Sequence, residues 1–555
     1  MKSVYKNFKF PIPIIDLFAG PGGLGEGFSS ITNEQGERIF QIKLSIEKDE
    51  QAHMTLRLRS FYRQFKKEDV PEIYYSYIKE NNLKKQANLL EQIKSDFKIE
   101  WNHAEDEAWK FELPFKEEET KEVEKKGYTP QEIIEKHNEI DERITKKLEG
   151  QRDWLLIGGP PCQAYSLVGR SRNQGISDKD HRVHLYKEYL RIIAKHHPAV
   201  FVMENVKGLL SARIGERKVF DSIKEDLKNP GIVFPDYNSP NYKVFSLVKP
   251  PDDFDSDGFP IYNNDTDYLI KSEKYGIPQR RHRVILIGIR EDLKVELPEY
   301  LQQSKEIKLK SIIGNLPVLS SGIGREVIGE NEKGNHIYSK IQNNQANWEA
   351  AIILSREKLN YLFLERDKSN DIEFPTTQGK NFFSCNLNES SNPLFNDWYY
   401  DPRLEGVLHH ETRTHLKEDL MRYLFSALYL GKNGDFPKLR DYPEWLLPMH
   451  KNAKGGKFAD RFRTQRPEFP ATTITSHISK DGHYFIHYDP EQCRSLTVRE
   501  AARIQTFPDN YFFCGARTAQ YHQVGNAVPP YLAKQIGEIV FYILNPNNLK
   551  ENVRS

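Results

Sequence analysis

The stretch PIIDLFAGPGGLGEGF, residues 13–28, decides the fold. An apolar run ends at Phe18 and opens at once into a loop in which Gly20, Gly22 and Gly25 satisfy GxGxxG ahead of a helical pattern. Such a loop lets backbone approach a nucleotide closely. Glu47 follows about 20 residues later, at the end of a second apolar run, where a carboxylate can accept hydrogen bonds from ribose hydroxyls. A nucleoside-containing cofactor is implied, although a glycine cluster alone is equally at home in a plain turn or a dinucleotide site.

Outward from that loop, short apolar runs closed by Gly, Pro or acidic residues recur at Ile12 to Phe18, Lys43 to Ile46, Trp154 to Ile157 and Val200 to Met203. They read as buried parallel strands, and the helical patterns between them predict a doubly wound α/β sheet with its ligand at the carboxyl ends of the strands. Residues 60–150 interrupt this pattern with charged, helix-prone sequence that includes KEEETKEVEKK at 116–126. One helix there is well marked: Thr129 caps it, Pro130 suits its first turn, Ile133, Ile140, Ile144 and Leu148 form a stripe, and Gly150 ends it. The stretch reads as an insertion packed on the sheet. From about 296 to 490 the alternation is lost, which predicts a smaller, irregular second domain, and 491–555 regains order with SLTVREAARIQTF and an apolar helix from Tyr531 to Ile543.

The chain has 555 residues, with 80 Lys and Arg against 79 Asp and Glu, so any nucleic-acid partner must be met by a local basic surface rather than a global field. Its four cysteines, Cys162, Cys385, Cys493 and Cys514, form no CxxC pair, which argues against a disulfide framework or a metal site. The N-terminal MKSVYKNFKF is followed by Pro11, Pro13 and Asp16, which break any signal-peptide core, and no run approaches the ~20 apolar residues of a membrane helix. A cytoplasmic protein is expected.

Three further segments carry chemistry. LLIGGPPCQAYSLVGR (155–170) puts Cys162 just past a strand end on a stiff Pro-Pro approach, where helix-start dipoles can lower a thiol pKa; taken singly, a cysteine reads more readily as an inert core residue. AVFVMENVKGLL (199–210) places Glu204 at another strand end among apolar neighbours, where desolvation would keep it protonated and able to donate; a simple strand-end cap is the competing reading. YGIPQRRHRVILIGIR (275–290) sets Arg281 and Arg283 two apart before a strand, suited to a carboxylate, a phosphate or a pyrimidine carbonyl, or to a charged edge only.

DLFAGPGG, GGPPCQAYS, MENV, PQRRHR, LTVREAARIQTFPD and QVGNAVPP, in this order, closely resemble the motif series of the C5-cytosine DNA methyltransferase family. The resemblance spans roughly 1–60, 150–295 and 455–546. It implies a Rossmann-like S-adenosylmethionine-dependent catalytic domain over 1–295, a target-recognition domain over 296–490, and a segment 491–555 that returns to complete the first. Carried over by motif position, it implies a cofactor site lined by Phe18, Gly20, Gly22, Gly23, Leu24, Glu47, Pro160, Leu185, Asn526 and Ala527. Ser166 would meet the DNA backbone, and Gln163, Arg170 and Arg172 lie in a loop placed to close over the target base. Arg461 and Arg463, in KGGKFADRFRTQR (454–466), offer phosphate contacts, or else a solvated basic loop. The family's acidic residue for the adenine amino group, on a third strand, has no assignable counterpart because the insertion intervenes.

The implied reaction is covalent. The Cys162 thiolate adds to C6 of a flipped-out cytosine, Glu204 protonates or hydrogen-bonds N3, and Arg281 and Arg283 hold the pyrimidine carbonyl and nearby groups. The resemblance further implies a duplex DNA substrate, a monomer, and a role beside a restriction endonuclease whose existence the sequence leaves open. A flavin or nicotinamide oxidoreductase, a tRNA-directed member of the family and a catalytically dead DNA-binding module are the rival readings.

Overall fold

A computed structural model describes residues 11–114, 128–161, 181–293, 299–332, 335–363, 374–387, 392, 394–448 and 460–544. Its centre is an eight-stranded sheet. The strands are β1 (Ile12–Leu17), β2 (Phe40–Glu47), β3 (Ala108–Lys110), β4 (Leu155–Gly158), β5 (Val200–Val206), β6 (Tyr242–Phe245), β7 (Leu269–Lys271) and β8 (His282–Arg290). The spatial order is β7-β8-β5-β4-β1-β2-β3, with β6 also pairing β8. β1 to β5 run parallel, whereas β8 is antiparallel to β5 and to both β6 and β7. The result is a Rossmann-like α/β sheet. All six residues of β1 are buried, as a strand covered on both faces requires.

One apolar layer covers each face. Leu17, Ile46, Leu156, Leu185, Tyr189 and Met203 share a core with Ile140, Ile144 and Leu148. These last belong to α6 (Pro130–Leu148), which Thr129 caps as the sequence leads one to expect, with Glu132 completing a reciprocal cap. Before it come α1 (Gly23–Ser29), α2 (Glu50–Arg63), α3 (Glu72–Lys79), α4 (Leu83–Asp96) and α5 (Lys98–Glu107). Of the expected insertion, α6 packs on the sheet; α2 to α5 do something further. Phe61, Tyr74, Tyr75, Tyr77 and Trp101 bury themselves against Leu404, Leu408 and Phe512, because the tyrosine-rich α3 needs a partner larger than the sheet edge can supply. The acidic run at 116–126 lies outside the described residues.

Beyond α7 (His181–His196) and α8 (Val219–Lys228), a separate core gathers Ile323, Trp348, Leu420, Leu424, Tyr442 and Phe462. It is built on β9 (Gly322–Glu330), α9 (Gln345–Phe363) and α10 (Lys417–Asn433); β10 (His336–Lys340) and β13 (Thr414–Leu416) pair with β9, while β11 (Gly379–Ser384) and β12 (Gly406–Glu411) pair with each other outside this core. The chain then returns through α11 (Val498–Ile504), α12 (Arg517–Asn526) and α13 (Pro530–Leu544). Leu532, Ala533 and Ile536 of α13 join the sheet's second layer with Ile14, Leu24, Phe28 and Ile157. Among the described residues no helix is long and apolar enough to cross a membrane.

α1 and α13 meet backbone to backbone. A methyl group at Gly23 would lie 2.3 Å from the Val528 carbonyl oxygen, and one at Gly27 would lie 2.3 Å from that of Pro530 and 2.6 Å from the Lys534 nitrogen. Backbone cannot give way as a flexible side chain can. Gly27→Ala is therefore expected to destabilise the fold by about 1–3 kcal/mol, read as a lower urea midpoint with an unchanged slope.

Candidate active site at the carboxyl edge of the sheet

The first strand ends in a strained turn. Phe18 adopts φ 56°, a left-handed conformation costly for a bulky residue, and Gly20 (φ 56°) and Gly22 (φ 94°) continue it. A side chain at Gly22 would also meet Leu56 at 2.9 Å and the Tyr511 hydroxyl at 3.0 Å. Two groups hold the turn in place: the Tyr511 hydroxyl donates to the Pro21 carbonyl, and the Gly20 N–H donates to Glu47 Oε2 at 2.8 Å. The other Glu47 oxygen accepts from the Asp49 N–H at 2.7 Å. Burial pushes the Glu47 carboxyl up, and these backbone N–H groups pull it back.

The predicted cofactor residues gather around this turn in part. Leu185 is buried in the same core that Phe18 packs against, Pro160 is buried just beyond β4, and Leu24 is buried beneath the loop. Ala527 reaches Gly23: its Cβ would be 3.3 Å from a methyl placed there, and Asn526 beside it is exposed. β3 is the third strand of this half of the sheet. Among the described residues the acidic one just after it, Glu112, already accepts from Tyr128 Oη at 2.7 Å and Lys48 Nζ at 3.1 Å. Trp109 and Phe111 stack beside it, ring centroids 4.0 Å apart.

The strand pairing brings Glu204 and Arg283 together. Antiparallel register sets Arg283 of β8 opposite Val206 of β5, so Glu204, two residues earlier, shares its face diagonally. Arg283 Nε lies 2.8 Å from Glu204 Oε1. The apolar surroundings expected of Glu204 are thus corrected: its nearest partner is a guanidinium. Its other oxygen faces Gly159, where a methyl would come within 3.0 Å of Oε2. Gly159 begins the Gly-Pro-Pro run that leads to Cys162. Cys162, Gln163, Ser166, Arg170 and Arg172 themselves lie outside the described residues.

Arg281 goes elsewhere. It is 2% exposed, and its Nη1 donates to the carbonyls of Ile474 at 2.9 Å and Gly525 at 3.2 Å. Burial pushes the pKa values of both Arg281 and Arg283 down, and Glu204 opposes that push. Instead of a second free fork, Arg281 is a brace that ties the 471–474 segment to α12. Gln279 helps: its Oε1 accepts from the Ile474 N–H at 3.1 Å, and its Nε2 donates to the Ile504 carbonyl at 3.1 Å. Arg461 lies 3.7 Å from Asp481, and Arg463 pairs with Asp460, so both expected phosphate contacts sit in ion pairs of their own.

One residue that the sequence reading did not assign to the site is Asp16, at the start of DLFAG. It is 1% exposed, and neither oxygen has a hydrogen-bond partner among the described residues. Burial raises its pKa well above the ordinary value, with Glu47 and Glu107 adding to the rise and Arg63 opposing it. Its place inside a strand otherwise made of apolar residues was the available sign.

Comparison with known proteins gives a consistent result. Residues 105–541 match the family described as C-5 cytosine-specific DNA methylase. The type II methyltransferase M.Bpa9945I of Bacillus paralicheniformis is 33% identical over 547 residues, covering 96% of this chain and 99% of that protein. M.DdeI of Desulfomicrobium norvegicum is 27% identical, covering 72% and 75%, and M1.HphI of Haemophilus parahaemolyticus is 25% identical, covering 72% and 71%.

The Asp16 carboxyl gives a pH test. The folded chain holds its proton to a higher pH than the unfolded chain does, so its stabilising contribution is complete below the ordinary aspartate value of about 4 and is lost as pH rises through the raised native value. Asp16→Asn cannot ionise. Its stability relative to the parent is expected to increase as pH rises above the ordinary aspartate value of about 4, by up to about 1.4 kcal/mol per pH unit, in urea unfolding. A difference that stays flat across that range would exclude a protonated Asp16.

Proposed function

The chain belongs to the C-5 cytosine-specific DNA methylase family, and from that premise we propose that it methylates C5 of a flipped-out cytosine in a specific duplex sequence through a covalent adduct between Cys162 and C6. It is a DNA cytosine-5-methyltransferase, and the family match removes the oxidoreductase reading that the glycine loop alone allowed. The observation that carries the finer mechanism is the Glu204–Arg283 pair, fixed by strand register with one carboxylate oxygen facing the Gly-Pro-Pro run before Cys162.

S-adenosylmethionine fits the turn after β1. Gly20 and Gly22 offer backbone without side chains, Glu47 presents a carboxylate at the ribose position, and Asn526 and Ala527 close the far side. When bound, it would supply an electrophilic methyl group and leave as S-adenosylhomocysteine. The chain does the rest. Cys162 adds to C6 and makes C5 nucleophilic; Glu204 meets N3; Arg283, anchored on Glu204, reaches the pyrimidine carbonyl. Arg281 acts by holding Ile474 and Gly525 in place. Once C5 carries the methyl group, its proton leaves and the Cys162–C6 bond breaks, restoring the thiolate. Gln163, Ser166, Arg170 and Arg172 contact the DNA beside the base, and Arg461 and Arg463 exchange their ion pairs for phosphates, a small cost because exposed pairs are worth little.

In this reading residues 1–295 with 491–555 form the catalytic unit and 296–490 the target-recognition domain, supported by the separate core around Trp348 and Tyr442. The enzyme works as a cytoplasmic monomer, and a cognate restriction endonuclease acts separately.

Cys162→Ala is expected to abolish methylation of plasmid DNA, read by bisulfite sequencing, while retaining DNA binding; full activity in that variant refutes the mechanism. Glu204→Gln should lower kcat by about 10²- to 10⁴-fold. Glu47→Ala should raise the Kd for S-adenosylmethionine roughly tenfold to a hundredfold, seen as lost protection against thermal unfolding.

A further inference from the structure

A second set of contacts holds the turn after β1. Glu26 lies in the first turn of α1, where its N–H donates to the Gly22 carbonyl at 2.8 Å. Its carboxylate takes both prongs of Arg59 of α2, Nε to Oε2 at 2.9 Å and Nη2 to Oε1. The same guanidinium lies against two aromatic rings, 3.9 Å from the centroid of Tyr62 and 4.8 Å from that of Tyr511. Tyr511 is the residue whose hydroxyl grips the Pro21 carbonyl. Arg59 therefore bears on the turn twice, through Glu26 on the helix that follows it and through the ring of Tyr511.

The remaining donor of Arg59 starts a chain. Nη1 donates to Asn510 Oδ1 at 3.0 Å, and Asn510 Nδ2 donates to Asp401 Oδ2 at 2.6 Å. Asp401 Oδ2 also accepts from the Tyr75 hydroxyl of α3 at 2.7 Å, and Oδ1 accepts from the Arg403 N–H at 3.1 Å. Glu26, Arg59, Asn510 and Asp401 are all buried. Asp401 comes from the second-domain interval. It caps the turn Pro402–Leu404 that enters β12, and β12 runs on through Thr412 and Arg413 into β13, which pairs with β9 of the second core. A buried run of polar side chains thus joins the segment leading into that core to the first turn of α1. Burying charged groups gains little stability over apolar packing, whereas a network with its partners met fixes a single arrangement.

We propose that Asp401 is a positioning residue for the S-adenosylmethionine site, acting through Asn510 and Arg59 on Glu26 and the turn after β1. Asp401 holds the Asn510 amide, the amide holds Arg59, and Arg59 sets both Glu26 and the Tyr511 ring. The turn takes its binding shape only when the segment around Asp401 is seated, so the cofactor site draws on both parts of the chain. This role rests on the S-adenosylmethionine reading above.

The test reads S-adenosylmethionine binding to the full chain without DNA, by isothermal titration, beside the thermal midpoint of the cofactor-free protein. Asp401→Ala and Asn510→Ala are each expected to raise the Kd roughly tenfold, the scale of one lost hydrogen bond to a charged group. Because both act along one chain, the double variant should bind no more weakly than either single one. Asn81→Ala is the control. The Asn81 amide clasps the Phe382 N–H and carbonyl at 2.8 and 2.9 Å, on the same β11–β12 hairpin but outside the chain, so its loss should lower the midpoint and leave the Kd unchanged. Should an alanine variant of the chain fail to fold, Tyr75→Phe, which removes one hydroxyl from Asp401, takes its place with an expected rise of about threefold. Unchanged Kd values, losses that multiply in the double variant, or an equal rise in Asn81→Ala leave Asp401 a fold anchor only and overturn its positioning role. A parent that does not bind S-adenosylmethionine overturns the cofactor reading and the role of Asp401 with it.

Discussion

The site depends on a helix crossing made without side chains. Gly23 and Gly27 let α1 lie directly on the backbone that runs from Val528 into α13, some 500 residues downstream. That contact places Ala527 and Asn526 beside the loop after β1 and lets α13 cover the sheet's second face. The Tyr511 hydroxyl reinforces it by gripping the Pro21 carbonyl from the same returning segment. Because the contact joins segments some 500 residues apart, the loop after β1 is complete only after everything between them has folded.

Buried arginines do the corresponding work between the two cores. Arg499 donates to the carbonyls of Leu408, Pro508 and Tyr511, and Arg503 pairs with Asp509 while reaching the Ile312 carbonyl and Asn315. Arg494 forms a two-pronged pair with Glu500. A buried guanidinium is costly unless its donors are met, and here carbonyls from distant segments meet them, so each arginine specifies one arrangement of chain. Arg281 follows the same logic. Two arginines that a motif presents as equivalent are divided by the register: one holds the scaffold and the other faces the reacting edge.

The parts of this architecture legible in the sequence are those with local causes. β1, β4 and β5 read as continuous apolar runs because both faces are buried, and α6 announced itself through Thr129, Pro130 and its apolar stripe. β3 did not, because a three-residue edge strand with one face against helices has no periodicity to detect. The destination of α2 to α5 was hidden too, since the tyrosines of α3 say that they will be buried but not that Leu404 and Phe512 will cover them. Arg461 and Arg463 looked free because Asp460 and Asp481, which pair with them, cannot be assigned as partners from spacing alone. Glu204 and Arg283 were legible as residues and illegible as a pair.

That pairing changes how the acid works. Apolar flanks would have left Glu204 free to rotate, with desolvation as its only tuning. Instead Arg283 holds one oxygen, and Gly159, which begins the run leading in sequence to Cys162, leaves room for the other. In the proposed mechanism a carboxylate gripped in this way is already oriented when the target base arrives. The grip is set by the antiparallel register of β5 and β8, the one reversal among the central strands. The reversed strand thus supplies a cross-strand partner, two residues out of step, to an acid carried by a parallel one.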